Sequence, residues 1–266
     1  MATLRFTILG CGSSGGVPRL GNKWGDCDPN EPRNRRRRCS LLVERITADG
    51  TTRVLVDTSP DMRQQLLDAG VGDLDGVVFT HAHADHVHGI DDLRMIVFNR
   101  RQMLDIWADG PTFAALTARF GYAFETPPGS SYPPILRRHA LDGTIHVPGP
   151  GGDLTLSPIP VGHGDIDALG LRIGDLAYMP DVNTIPESSG WLLEDLQVWI
   201  LDALRRTPHP SHLSYQEAMA WFERMAPARG ILTNMHVDMD YATVAAETPG
   251  HIEPAYDGLT IDLPDD

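Results

Sequence analysis

Val77-Val78-Phe79-Thr80-His81-Ala82-His83-Ala84-Asp85-His86 is the stretch that decides the fold of this 266-residue chain. A short apolar run of strand type ends at Thr80, and four residues of metal-ligand type follow within six positions. Side chains two apart on an extended segment point the same way, which aims His81 and His83 at one point. Asp85 and His86, just past the turn, face a second point nearby. Packing does not explain such a run, because buried histidine and aspartate need partners. Imidazole suits zinc and several other divalent ions, and carboxylate favours harder ions such as manganese, so both metals stay open. The spacing of His88 puts it behind the ligands or toward solvent.

Outward from this motif, short apolar strands alternate with amphipathic helices. Strands are predicted at Leu4–Leu9, Ser40–Glu44, Arg53–Val56, Gly76–Phe79, Leu104–Trp107 and Leu154–Pro158. Further strands are predicted at Ala168–Ile173, Leu176–Met179, Val198–Asp202, Gly230–Leu232 and Leu259–Leu263. The helical pattern covers Pro60–Ala69, Gly89–Phe98, Thr112–Phe120, Tyr215–Ala226 and Tyr241–Glu247, with Ser214 and Glu217 as a capping box. The Pro- and Gly-rich stretch Thr126–Gly152 reads as an exposed loop or lid. With no repeat and no linker, one domain over residues 1–266 is expected, of α+β class, with two mixed sheets flanked by helices.

Composition narrows the partners. A net charge of −14 argues against a large nucleic acid, which needs a basic footprint. A small phosphate substrate is compatible, because bound divalent ions invert the local field. No stretch approaches the ~20 apolar residues that span a bilayer, and the start MATLRFTILGCG lacks a signal-peptide pattern, so a cytoplasmic location is expected. Cys11, Cys27 and Cys39 read as buried thiols in a reducing compartment, with no CxxC pair for a structural zinc. A homodimer is the base-rate expectation for assembly.

The HxHxDH pattern resembles the signature of the metallo-β-lactamase superfamily, and the other family elements occur in order along nearly the whole chain. The resemblance implies an αββα sandwich with two divalent ions, zinc or manganese. It assigns His81, His83 and His163 to one ion, Asp85, His86 and His236 to the other, and Asp181 to a bridge between them. Asp57, after Val54-Leu55-Val56, matches the aspartate that orients the metal loop. Two ions ~3.5–4 Å apart can hold a bridging hydroxide and serve phosphodiesters, thioesters, lactones and β-lactams alike.

Pro210-Ser211-His212-Leu213-Ser214 resembles the histidine motif of the phosphodiesterase branch, which includes tRNase Z and the cyclic phosphodiesterase of the phosphonate pathway. That likeness counts His212, with Asp85, among the catalytic residues, as the group that assists the transition state or protonates the leaving alkoxide. His209 nearby could equally serve. The run Gly10-Cys11-Gly12-Ser13-Ser14-Gly15-Gly16-Val17-Pro18-Arg19 also resembles this branch, and its serines and backbone amides, those of Ser13 and Ser14 among them, could meet a phosphate. Its GxGxxG spacing is not a dinucleotide site, because Gly16, Pro18 and Gly21 stand where a helix should begin. Arg33 and Arg35 to Arg38 read as a solvated or carboxylate-paired face.

Only Cys27 lies where the phosphonate-pathway enzyme carries an extra cysteine-rich zinc site, so that metal is not expected here. The tRNase Z arm has no counterpart either, and a small phosphodiester, such as a cyclic nucleotide or cyclic sugar phosphate, fits better than a large RNA. The alternatives are a thioester, lactone or β-lactam hydrolase on the same metals, and a non-catalytic metal-containing binding module.

Overall fold

The computed structural model describes residues 2–141 and 143–265. Its strands, in chain order, are β1 (Ala2–Gly10), β2 (Ser40–Ile46), β3 (Thr51–Val56), β4 (Gly76–Val78), β5 (Leu104–Ala108), β6 (Leu136–Ala140), β7 (Ile145–Val147), β8 (Leu154–His163), β9 (Ile166–Ile173), β10 (Leu176–Met179), β11 (Val198–Asp202), β12 (Arg229–Thr233), β13 (Ile252–Pro254) and β14 (Thr260–Asp265). Its helices are α1 (Met62–Asp68), α2 (Ala84–Val87), α3 (Leu93–Arg100), α4 (Gly110–Phe120), α5 (Tyr215–Met225) and α6 (Tyr241–Glu247). The strands make two mixed seven-stranded sheets, ordered β14-β1-β2-β3-β4-β5-β6 and β13-β12-β11-β10-β9-β8-β7. In the first, β3 to β6 run parallel; in the second, β10 to β13 do. By its contacts the chain divides into two compact units, Met1–Leu9 with Ser40–Thr155 and Thr260–Asp266, and Gly10–Cys39 with Leu156–Leu259.

In the first unit, Val54, Leu55 and Val56 are all wholly buried, as expected for a parallel strand covered on both faces. Leu55, Val77, Phe79 and Ile106 share a core with Met62 and Leu66 of α1, Leu93 and Ile96 of α3 and Leu116 of α4. Asp109 caps α4 by accepting from the Thr112 amide at 2.8 Å.

In the second unit, β10 and β11 are buried along their whole lengths. Phe222 of α5 packs edge-on against Trp199 of β11, ring centroids 5.7 Å apart. The capping box of Ser214 and Glu217 forms as the sequence predicts. Asp240 caps α6 at the Thr243 amide, 3.0 Å away, while its other oxygen takes the Asn34 side chain at 2.7 Å. That carboxylate thereby ties the long segment after β1 to the body of the unit. The same segment runs so close to its neighbour that a Cβ on Gly12 would stand 2.8 Å from Cβ of Arg36.

Four expectations change. Thr126–Gly152 is not a plain loop or lid: it contributes β6 and β7, and Asp142 within it lies outside the described residues. The sequence hides β6 because an edge strand needs only one buried side chain, Leu136, and takes its order from backbone bonds to β5. β13, also an edge strand, escapes because it is only three residues long and ends in a proline. The helix expected over Gly89–Phe98 begins as a 3-10 turn at Ile90–Asp92 before α3. Arg36 departs from the solvated arginine face. A bridge to Val17 draws it inside, where its Nη2 donates to Asn34 Oδ1 at 3.2 Å. Arg33 does behave as expected, paired with Glu31 at 2.7 Å.

All three cysteines are free and buried, and burial pushes the Cys11 and Cys39 thiols up. Among the described residues no helix is long and apolar enough to cross a membrane.

Candidate metal centre

In the first unit, site residues gather past the carboxyl ends of β3 and β4. Asp57 follows β3 in a left-handed conformation, φ 62°, and is wholly buried. Its Oδ1 accepts from the Thr80 amide at 2.8 Å. Its Oδ2 accepts from the Thr80 hydroxyl at 2.7 Å and from Nδ1–H of His86 at 2.8 Å. With its proton committed to Asp57, the Thr80 oxygen accepts from Nδ1–H of His81 at 3.0 Å. One carboxylate thus fixes the tautomer of two imidazoles, leaving the Nε2 lone pair of each for a metal. Burial pushes Asp57 above the usual carboxylate range, against the pull of His86 and Thr80.

The His81 ring lies 4.6 Å from that of His83 and 4.3 Å from that of His86. The single turn of α2 separates Asp85 and His86 from the extended His81–His83 pair, as the sequence anticipates. His88 is exposed, its ring edge against Phe120.

In the second unit, His163 ends β8, Asp181 follows β10, Asp202 ends β11, and Asn234 follows β12. The Nδ1–H of His163 donates to the Ser211 carbonyl at 2.6 Å, which again leaves Nε2 as the ligand nitrogen. Asn234, left-handed at φ 60°, donates from Nδ2 to Asp181 Oδ1 and to Asp202 Oδ1, both at 3.2 Å. Asp202 Oδ2 accepts from Nδ1–H of His212 at 2.8 Å. Burial pushes Asp202 up to about 7, while His212 draws it down.

His209 lies with its ring 5.1 Å from that of His212, but its Nδ1 is engaged by Ser211 and has no carboxylate behind it. Burial, then His212 and Arg205, push its pKa down. His236 donates from Nδ1 to Asp238 Oδ1 at 3.1 Å, and its Nε2 accepts from the guanidinium of Arg19. Burial works to raise Asp238, but the bonds from His236 and the Arg206 amide leave it below the usual range. Ser13 is buried and its hydroxyl finds no partner among the described residues, whereas Ser14 is exposed.

These donors fit a divalent ion. Nε2 of His86 and Oδ2 of Asp85 are 3.5 Å apart in the first unit, and Nε2 of His163 and Oδ2 of Asp181 are 3.4 Å apart in the second. Two ligands at ~2.1 Å from one tetrahedral ion stand about 3.4 Å from each other. His81 and His83 in the first unit, and His163 and Asp181 in the second, are donors of a kind compatible with divalent metal binding.

The sequence reading names every one of these donors, misses Asp202, and gives Asn234 and Arg19 no role although both stand within its motifs. A signal for Asp202 exists: Val198-Trp199-Ile200-Leu201-Asp202 repeats the pattern of Val54-Leu55-Val56-Asp57, a buried strand ended by aspartate.

Known proteins agree with this architecture. A solved structure described as a new diphosphatase from the PhnP family superposes with a TM-score of 0.87 at 32% identity, covering 99% of this chain and 98% of that one. An octanoyltransferase of Porphyromonas gingivalis is 33% identical over 261 residues, 96% of this chain, which spans 51% of that relative's length. Coenzyme PQQ synthesis protein B of Xanthomonas oryzae pv. oryzae is 25% identical over 282 residues, 92% of this chain and 85% of its own. The family model of the β-lactamase superfamily domain matches residues 52–235, from β3 to the residue before His236. The chain belongs to the β-lactamase superfamily and has the metallo-β-lactamase fold.

Proposed function

We propose that this protein is a dinuclear metal-dependent phosphodiesterase acting on a small phosphodiester or nucleotide. The observation that carries the reading is the buried Asp202 behind His212, 2.8 Å from its Nδ1. An imidazole held this way by a carboxylate presents Nε2 outward and can keep a proton there. Hydrolysis of a phosphodiester needs a proton delivered to a departing alkoxide, whereas metal ligation needs none.

His81, His83 and His163 would hold one ion, Asp85, His86 and His236 the second, and Asp181 both; zinc and manganese suit this nitrogen and oxygen set. When bound, such a pair polarises the phosphoryl group, lowers the pKa of water and neutralises developing charge. The chain's own part is orientation and proton delivery. Asp57 and Thr80 fix His81 and His86, the Ser211 carbonyl fixes His163, and Asn234 holds Asp181 and Asp202 together. His212, its positive form stabilised by Asp202, gives its Nε2 proton to the leaving oxygen and recovers it from solvent. Likeness to the PhnP-family diphosphatase supports the phosphorus-centred substrate.

A second reading, acyl transfer or thioester hydrolysis, is favoured by the octanoyltransferase relative, of which the chain spans about half. Parallel assays on bis(p-nitrophenyl) phosphate, a thioester and a lactone, with metal restored after chelation, separate the two. Turnover of the phosphodiester supports our reading. Turnover of the carboxylic substrates alone sinks it, and turnover of none favours a metal-containing binding module.

A further inference from the structure

Arg19 opens a tight turn closed by two backbone bonds to Lys23, at 2.9 and 3.2 Å. From there its guanidinium reaches back to Nε2 of His236. Gly15 makes room for this path, since a Cβ there would stand 3.2 Å from Nε and 3.4 Å from Cγ of Arg19. No carboxylate pairs with Arg19 among the described residues, although the chain carries 36 acidic residues against 22 basic ones. Other arginines of this chain sit against acids, as Arg33 does with Glu31 and Arg229 with Glu253. Arg19 therefore rests on a neutral acceptor.

That acceptor is the nitrogen assigned to the second ion. The Nδ1–H of His236 is given to Asp238, so Nε2 holds the only lone pair the ring can offer. One lone pair cannot serve a guanidinium and a metal together. Metal loading must therefore release Arg19, whose planar donor fork is left beside the metal ligand with no acid to receive it. A guanidinium fork matches two phosphoryl oxygens better than any neutral ester carbonyl.

We propose that Arg19 is the substrate-recognition residue of this site: set free from His236 by the metal, it binds the non-bridging phosphoryl oxygens and selects anionic over neutral esters. This inference rests on the phosphodiesterase reading above.

The test uses the full chain, metal-free and metal-loaded, with Arg19→Gln and Arg19→Lys. Arg19→Gln raises KM for bis(p-nitrophenyl) phosphate by roughly 10–100-fold with kcat changed only a few-fold, the scale of losing a charge-assisted bond. Calorimetry with inorganic phosphate shows the same loss of affinity, and KM for a neutral lactone does not move. Arg19→Lys recovers part of the loss, since it restores charge without the fork. Metal titration of metal-free Arg19→Gln is at least as tight as wild type, because no guanidinium has to be displaced. Wild-type KM and phosphate affinity in Arg19→Gln overturn the proposal, and so does weakened metal binding, which would make Arg19 a prop for His236. If the wild type cleaves no phosphodiester, the functional reading fails on its own, and phosphate calorimetry still decides what Arg19 does.

Discussion

Among the described residues each unit has one aspartate wholly shut off from solvent, Asp57 and Asp202, and they use it differently. In the first, Asp57 gives all its acceptor capacity to Thr80 and His86 and so orients ligand histidines only. In the second, Asp202 divides itself between His212, Asn234 and the Val182 amide. Both carboxylates end or follow a buried parallel strand, and each half-site uses one left-handed residue, Asp57 or Asn234, to turn a side chain back toward the site. On the proposed reading the first arrangement serves metal holding, whereas in the second the carboxylate stands behind His212, the proposed proton donor.

Breaking the second half at its working residue has the largest expected effect. His212→Ala lowers the phosphodiesterase rate by roughly 10²–10⁴-fold while metal content, read by atomic spectroscopy, stays near wild type. An unchanged rate removes His212 from the mechanism and erases the contrast.

Breaking the first half should show in stability and metal together. Asp57→Ala leaves the Thr80 amide and the His86 Nδ1–H facing a void, and costs about 3–5 kcal/mol in chemical unfolding. Bound metal should fall in the same protein. A variant that unfolds like wild type and keeps its full metal would mean that the loop orients itself.

Asp202→Asn sharpens the contrast on a smaller scale. The shape is kept and the countercharge to His212 is lost, so the rate drops roughly 10–100-fold, as when orienting partners of site histidines are removed. A rate equal to wild type would show that His212 needs no carboxylate behind it.

The smallest effect concerns Asp257, a half-buried residue away from the donors. Burial pushes Asp257 up to about 7, against bonds from the Arg37 amide and from Cys11. The unfolded chain ionises this group near its ordinary value, so the folded form holds the extra proton between roughly pH 4 and 7. Stability contributed by Asp257 is therefore complete at low pH and lost as pH rises through about 7. Asp257→Asn should flatten that part of the stability profile, whatever it does to the absolute midpoint, and an unchanged slope would show that Asp257 is ionised in the fold.

How much of this was legible depends on what each residue touches. His81, His83, Asp85 and His86 declare themselves because four donors crowd six positions after a buried strand. Asp57, His163, Asp181 and His236 are single residues far apart in sequence, and only their order within a family pattern marks them. Asp202 and Asn234 stand behind other site residues, holding His212 and Asp181, and the family pattern of metal donors does not include them. Arg19 meets His236 across most of the chain, a pairing that composition does not encode. The buried strands were readable through continuous apolar runs such as Val54-Leu55-Val56. β6 was not, because this edge strand draws its order from the neighbouring backbone, and neither was β13, which is only three residues long.

β6 has a further consequence for the protein as a solute. It leaves one side of its ladder open at the sheet margin, and an open ladder is a template for another chain. Arg137 and Arg138 are exposed along it, with His139 beside them, and each is held in place: Arg137 by Asp105, Arg138 over the Phe113 ring and His139 stacked on Trp107. Two copies meeting edge to edge would bring these cations together. The polar character that hides β6 from sequence reading thus works against pairing of copies through this edge.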